Sequence, residues 1–483
     1  MFHSRLIIDN RDEDAEGSAA FTRLDPISGA TATIASAATL DDASRAANAA
    51  AAAFSDWSVT GPNTRRKILT EAAGRLLARA DDFIAAMTAE TGATEAWCRF
   101  NLELGAEILR DAAGMATQIC GSLLPSDQGA LLSMGLRQPA GVCLGMAPWN
   151  APVILGVRAI AMPLACGNTV VLKASELCPQ THRLIGEVMI EAGTPPGVVN
   201  VVSNAPADAE DIVEVLIAHP AVRRVNFTGS TRVGRIVAQI AARHLKPCLL
   251  ELGGKAPFLV LADADLDHAA DAAAFGAFFN QGQICMSTER IILLDAIADD
   301  FAERFAARAR AIRAGEPRVS GMALGSMIGA EAVQRVRGLV DDARDKGALL
   351  LAGGTVHGNF MDATVLDHVT PHMRLYREES FGPVAALIRA RNVDEAVTIA
   401  NDCQYGLSAA VFGRDISQAL AVARRIESGI CHINGATVSD DPHAPFGGVK
   451  ASGHGRFGGQ QAIEAFTELR WITVNPRREP YPI

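Results

Sequence analysis

From residue 41 onward the apolar positions recur at helical spacing. Residues 41–57 are Ala-rich and open with acidic side chains, which suit the positive end of a helix dipole, so a helix is expected there. Residues 63–91 read as one or two amphipathic helices and 102–118 as another. Beyond residue 138 the pattern changes. A turn leads into a strand at 138–146, a helix follows at 153–165, and short apolar strands recur at 168–173, 198–202, 224–228 and 248–251. Strands alternating with helices imply parallel βαβ units. A second set follows Gly253-Gly254, with strands at 257–261 and 290–294, a helix near 267–281, then strands at 385–389, 407–412 and 429–434 with a helix from Val393. The tail at 468–474 alternates apolar and polar residues, as an edge strand does when it pairs with another segment or subunit.

Composition narrows the class. At 483 residues, 49% hydrophobic and 20% charged, the chain suits two or more globular domains. The net charge of -10, with no basic run, argues against a nucleic-acid partner. The N-terminus lacks a signal-peptide core and no window reaches the ~20 apolar residues of a membrane span, so a cytoplasmic protein without membrane contact is expected. Nine scattered cysteines without CxxC or Cys/His spacing suggest buried thiols, one of them reactive, and no metal site.

Five local patterns could carry chemistry. Cys285 follows a predicted helix in the turn Gln281-Gly-Gln-Ile-Cys-Met. As a nucleophile it would need a field that favours the thiolate; otherwise it is one more buried thiol. Glu251 ends a strand beside two glycines, where a carboxylate can serve as a general base. Asn226-Phe-Thr-Gly-Ser-Thr reads as a strand, a Gly turn and a helix start whose N–H groups suit a pyrophosphate, although GxGxxG is absent. By the usual spacing from such a turn, Glu251 could instead bind a ribose. Lys173 and Glu176, after another strand, could bond ribose hydroxyls or stand solvated in a loop. Asn150, between Trp149 and Ala151-Pro152, offers a neutral amide donor or a plain turn residue.

In their order along the chain, seven segments resemble the aldehyde dehydrogenase superfamily over nearly the whole length. They are PWN at 148–150, NTVVLKASE at 168–176, FTGSTRVG at 227–234, LELGGKAP at 250–257, GQICMS at 282–287, EESFGPV at 378–384 and PFGGVKASGHGR at 445–456. The resemblance implies an α/β fold of two Rossmann-like parallel-sheet domains with a small β oligomerisation extension. Residues 1–119 and 141–253 would bind NAD(P), 254–467 would form the catalytic domain, and 120–140 with 468–483 the oligomerisation strands of a homodimer or homotetramer. It makes Cys285 the nucleophile, poised in its ionised form, with Asn150 and the Cys285 N–H as oxyanion donors. Glu251 becomes the base that activates water on a thioester. Trp149, Lys173, Ser175, Glu176, Phe227, Gly229, Ser230, Leu252, Glu379 and Phe381 would contact the cofactor.

Within the superfamily, the segments Trp97-Cys-Arg-Phe-Asn, 281–290, His432-Ile-Asn-Gly and Gly455-Arg-Phe are most similar to those of bacterial aromatic (salicylaldehyde and vanillin) aldehyde dehydrogenases. An aromatic ring needs a flat apolar slot, for which Trp97, Ala151, Ile284, Met286 and Phe446 are candidates. Arg158 would face a phenolic oxygen, stack on the ring, or serve as a packing or interdomain salt-bridge residue. The carboxylate of Glu176 favours NAD, with NADP possible through Lys173. The competing readings are an aliphatic or semialdehyde dehydrogenase, acyl transfer to coenzyme A, and a silent homologue of the same fold.

Overall fold

The computed structural model describes residues 1–127, 131–319 and 322–477. Residues 128–130 and 478–483, parts of the expected oligomerisation strands, lie outside the described residues. The chain builds two large sheets. The first has eight strands, and its centre is five parallel ones in the spatial order Cys248–Glu251, Val222–Thr228, Val142–Met146, Thr169–Lys173 and Val199–Val202. Helices cover both faces of these largely buried strands, as the near-continuous apolar runs require. The helix Leu40–Ser58 starts at a capping box formed by Thr39 and Asp42. Its buried Ala43, Ala46, Ala47 and Ala50 let it lie close on the sheet.

The second sheet has seven strands, parallel except for the edge strand Leu349–Ala352. A three-stranded antiparallel sheet joins Ser122–Leu124, Leu132–Pro139 and the tail strand Thr467–Val474, so the alternating tail pairs within its own chain. Among the described residues no helix is long and apolar enough to cross a membrane.

Two features depart from the sequence expectations, and one open reading is narrowed. The first 36 residues contain five strands that the pattern missed. Two of them, Leu6–Ile8 and Arg11–Glu13, extend the first sheet antiparallel beyond Val199–Val202. At three residues each they are too short to show an alternation. The 63–91 segment resolves into two helices, Pro62–Ala78 and Ala80–Thr91. The segment expected to end the second domain at 467 returns to the first: Gly453–His454 pairs antiparallel with Cys248–Glu251, and the helix Gly459–Phe466 packs on Pro152–Ala165.

Candidate active site

The first sheet places its chemistry at the carboxyl ends of neighbouring parallel strands, the usual position for ligands in open α/β sheets. Lys173 and Met146 pair across one strand boundary, and Thr228 and Glu251 across another. The chain therefore leaves the sheet side by side at Lys173–Glu176, at Trp149–Asn150, at Gly229–Ser230 and at Glu251. A groove follows this edge. Its far end is lined by Lys173, Ser175, Glu176 and Phe227, its near end by Glu251, Cys285, Glu379 and Phe381, and Trp149, Gly229 and Ser230 border both.

At the far end Glu176 is ion-paired with Lys173 and accepts a bond from Asn204 Nδ2 at 3.1 Å. Burial works to raise the Glu176 carboxyl, but Lys173 outweighs it and holds the group below its usual value. Glu176 is thus a carboxylate at neutral pH, and the Lys173 ammonium is already engaged by it. In the middle, Ser230 caps the helix Thr231–Arg243 by accepting from Val233 N at 3.3 Å, so that a helix start borders the groove. Leu252, expected at the cofactor, lies behind the wall: it packs where a Cβ on Gly234 would stand, and its N–H donates to Ser452 O.

The second sheet meets this edge with the amino ends of its strands. Just before Thr288–Leu294 the residues Asn280, Gln281 and Gly282 all take left-handed φ values of 49°, 56° and 66°. For non-glycine residues such a run is costly and needs anchoring. Gln281 supplies it by accepting from Gly325 N at 2.9 Å and donating to Ser326 O at 3.0 Å. Gln283 Oε1 accepts from Ile328 N at 3.0 Å. The turn that results presents Cys285.

Asn150 is fixed from two sides. Its carbonyl accepts from Trp97 Nε1 at 2.9 Å and from Asn280 Nδ2 at 3.1 Å, and its own Nδ2 donates to Gln283 O at 3.0 Å. One amide N–H is spent on orientation; the other remains for a ligand. The Cys285 N–H has no acceptor among the described residues.

Glu251 is 1% exposed, and neither of its oxygens has a protein donor in hydrogen-bond geometry among the described residues. Burial pushes this carboxyl up to about 7, with the Cys285 thiol beside it pulling the other way. Burial likewise pushes the Cys285 thiol well above its usual value, and the neighbouring Glu251 charge adds to that. Burial and the facing carboxyl therefore both oppose ionisation of the Cys285 thiol, against the expectation of a sulfur poised in its ionised form. Glu251 lines the end of the groove that holds the sulfur, while Lys173 and Glu176 line the other end.

Glu379 closes the near end. Its Oε1 accepts from Gly254 N at 2.8 Å, and a Cβ on Gly253 would sit only 2.7 Å from Oε2, so a side chain there would displace the carboxyl. Burial, with Glu289 next, pushes Glu379 up to about 8. Glu289 itself anchors the segment. It is ion-paired with buried Lys255 and accepts from the N–H groups of Ser380 and Phe381, which holds Phe381 at φ 46° against Trp149, 5.8 Å between ring centroids. Sequence reasoning missed Lys255 and Glu289, whose pairing spans 34 positions.

On the far side of Cys285 a small chamber opens. All six residues expected to form a substrate slot line it: Trp97, Ala151, Arg158, Ile284, Met286 and Phe446. Cys285 and Asn150 border both chamber and groove. Phe100 also lines the chamber, stacked on Trp97 at 5.4 Å. It stands three residues after Trp97 on the helix Glu95–Met115, and this spacing was a legible but unused signal. Arg158 forms a salt bridge there: Nη2 meets Asp440 Oδ2 at 2.5 Å, with the guanidinium 4.4 Å from the Phe446 ring centroid.

A thiol, a buried carboxyl and an oriented amide thus converge between a dinucleotide-sized groove and an aromatic chamber. The sequence matches the aldehyde dehydrogenase family over residues 13–472. It is 56% identical to the vanillin dehydrogenase of Pseudomonas sp. strain HR199 over the full length of both chains, and 48% identical to the salicylaldehyde dehydrogenase of Pseudomonas putida over 99% of each. The crystal structure of a salicylaldehyde dehydrogenase from Pseudomonas putida G7 complexed with salicylaldehyde superposes with a TM-score of 0.98, at 47% identity and complete coverage of both chains. The chain therefore belongs to the aldehyde dehydrogenase family, as an NAD(P)-dependent oxidoreductase acting on aldehydes.

Proposed function

We propose that this enzyme oxidises aromatic aldehydes to carboxylic acids with NAD, through a thioester on Cys285. The observation that carries the reading is the placement of Cys285 and Asn150 on the border between the groove and a chamber walled by Trp97, Phe100 and Phe446. An aryl aldehyde whose ring enters the chamber brings its carbonyl carbon to the sulfur. The vanillin and salicylaldehyde dehydrogenases among the relatives support the same substrate class.

Cys285 loses its proton to Glu251 as the sulfur attacks. The free Nδ2–H of Asn150 and the Cys285 N–H stabilise the alkoxide that forms, a contribution of ~10²–10³ in rate per donor in comparable sites. NAD, when bound, supplies the nicotinamide that accepts the hydride. Glu251, having returned its proton to solvent, then takes one from the water that hydrolyses the thioester. Covalent catalysis splits one difficult oxidation into two easier steps. An acceptor role for coenzyme A fits less well, because a carboxylate facing the acyl sulfur promotes hydrolysis. The groove itself suits a dinucleotide: an ionised Glu176 at one end, a helix start at Ser230 in the middle, and Glu379 with Phe381 at the other.

Two assays test this reading. A panel of aldehydes should give a higher kcat/KM for benzaldehydes than for acetaldehyde; a strong reverse preference, as an aliphatic or semialdehyde enzyme would show, ends the aromatic assignment. The same panel, run with both cofactors, should give a lower KM for NAD than for NADP. Glu176 repels a 2′-phosphate and occupies Lys173, so Glu176→Gln should shift the NAD/NADP preference toward NADP by about tenfold. An unchanged ratio would remove Glu176 from cofactor choice.

The three-stranded sheet carries a surface for self-association. Leu124, Leu469 and Trp471, which the strand register puts on one face, are 42%, 65% and 70% exposed, and apolar faces of this kind pair copies of a chain.

A further inference from the structure

Asp440 lies in the polar loop that follows Ile430–Ile433, 282 positions from the arginine it binds. Oδ2 meets Arg158 Nη2 at 2.5 Å, and both side chains are 6% exposed. Oδ1 is equally buried and receives no hydrogen bond from any described residue. The residue nonetheless lines the chamber that Trp97, Phe446 and Cys285 share. Stacking of Arg158 over Phe446 holds the pair in place from behind.

A buried carboxylate oxygen left without a donor is costly, and such groups in native proteins call for an explanation. Here the oxygen belongs to a side chain that lines a space shaped for a ring. An acceptor can be satisfied only by a donor; the adjacent guanidinium repels a cationic one, and the neutral donor that an aromatic aldehyde most commonly carries on its ring is an O–H. We propose that Asp440 Oδ1 accepts a hydrogen bond from a phenolic hydroxyl on the substrate ring, so that the Arg158–Asp440 pair selects hydroxybenzaldehydes. The proposal rests on the aromatic reading above and deepens it. Sites built around a hydrogen bond to a substrate hydroxyl reject the analogue that lacks it far more strongly than apolar slots reject a methylene.

The test compares kcat/KM for benzaldehyde, the 2-, 3- and 4-hydroxybenzaldehydes and their O-methyl ethers, in the native enzyme and in Asp440→Asn. The amide keeps an oxygen for Arg158 but offers the ring an N–H in place of the acceptor. In the native enzyme at least one hydroxy isomer should exceed its methyl ether by about 10- to 100-fold, the range of a hydrogen bond to a charged group. In Asp440→Asn that ratio should fall to within about threefold of unity, and the isomer concerned identifies where the hydroxyl sits. A hydroxy-to-methoxy ratio near one in the native enzyme overturns the proposal, as does an equal loss on all substrates in the variant, which would make Asp440 only a support for Arg158. If the variant does not accumulate folded, the native comparison decides alone. Failure to oxidise any aromatic aldehyde would sink the broader aromatic reading as well, whereas good turnover of benzaldehyde without a hydroxyl preference sinks only this one.

Discussion

Replacing Cys285 by alanine is expected to abolish formation of the reduced nicotinamide with every aldehyde, a loss of about 10⁴-fold or more, as for nucleophiles in other covalent enzymes. The sulfur stands alone in its role. Among the residues bordering both groove and chamber it is the one able to form an acyl bond. Cofactor binding should survive, because the far end of the groove is untouched. Absorbance of the reduced nicotinamide reports the first effect and quenching of tryptophan fluorescence by NAD the second. Residual turnover above about one hundredth of the native rate would take the thioester out of the mechanism.

Glu251→Gln should separate the two halves of the reaction. Loss of a general base costs ~10²–10⁴ in the step it serves, and hydrolysis of the thioester depends on it fully. Acylation should suffer less: it loses Glu251 as proton acceptor, but the substitution also removes the charge that holds the proton on Cys285, so the thiol can release it to solvent. Rapid mixing should then show one equivalent of reduced nicotinamide per site, followed by a slow steady state. A linear time course at a uniformly reduced rate would contradict this. The native enzyme should carry the matching pH signature. Burial raises Glu251 to about 7, so below that value the carboxyl holds its proton and cannot accept one from water. Steady-state kcat should rise through neutrality to a plateau, and in Glu251→Gln that rise should be lost.

What could be read from the residues, and what could not, divides along physical lines. Strands of four to seven largely apolar residues that stop at a glycine or a charged residue announce both an element and the end where ligands bind. Glu251, Lys173 and Ser230 were legible for that reason. The Cys285 turn and the slot residues became legible through the family resemblance, and the structure brings all six slot residues around one chamber. Two things stayed hidden. The charge state of Cys285 depends on how dry its pocket is and on which carboxyls face it, and neither is written in the local sequence. Asp440 sits in the stretch Val438-Ser-Asp-Asp, which reads as an exposed loop; only folding brings Arg158 to it from the other end of the chain.

The crossing of the chain back onto its first sheet has a consequence for biosynthesis. Glu251 belongs to a strand whose outer neighbour is Gly453–His454, and the next residue, Leu252, is held by Ser452. A nascent chain released as far as residue 253 has an unpaired edge beside its future base. The carboxyl gains its final surroundings only after some two hundred further residues have emerged from the ribosome. Throughout that interval the growing polypeptide carries an exposed template for wrong partners, which gives chaperones a specific edge to shield.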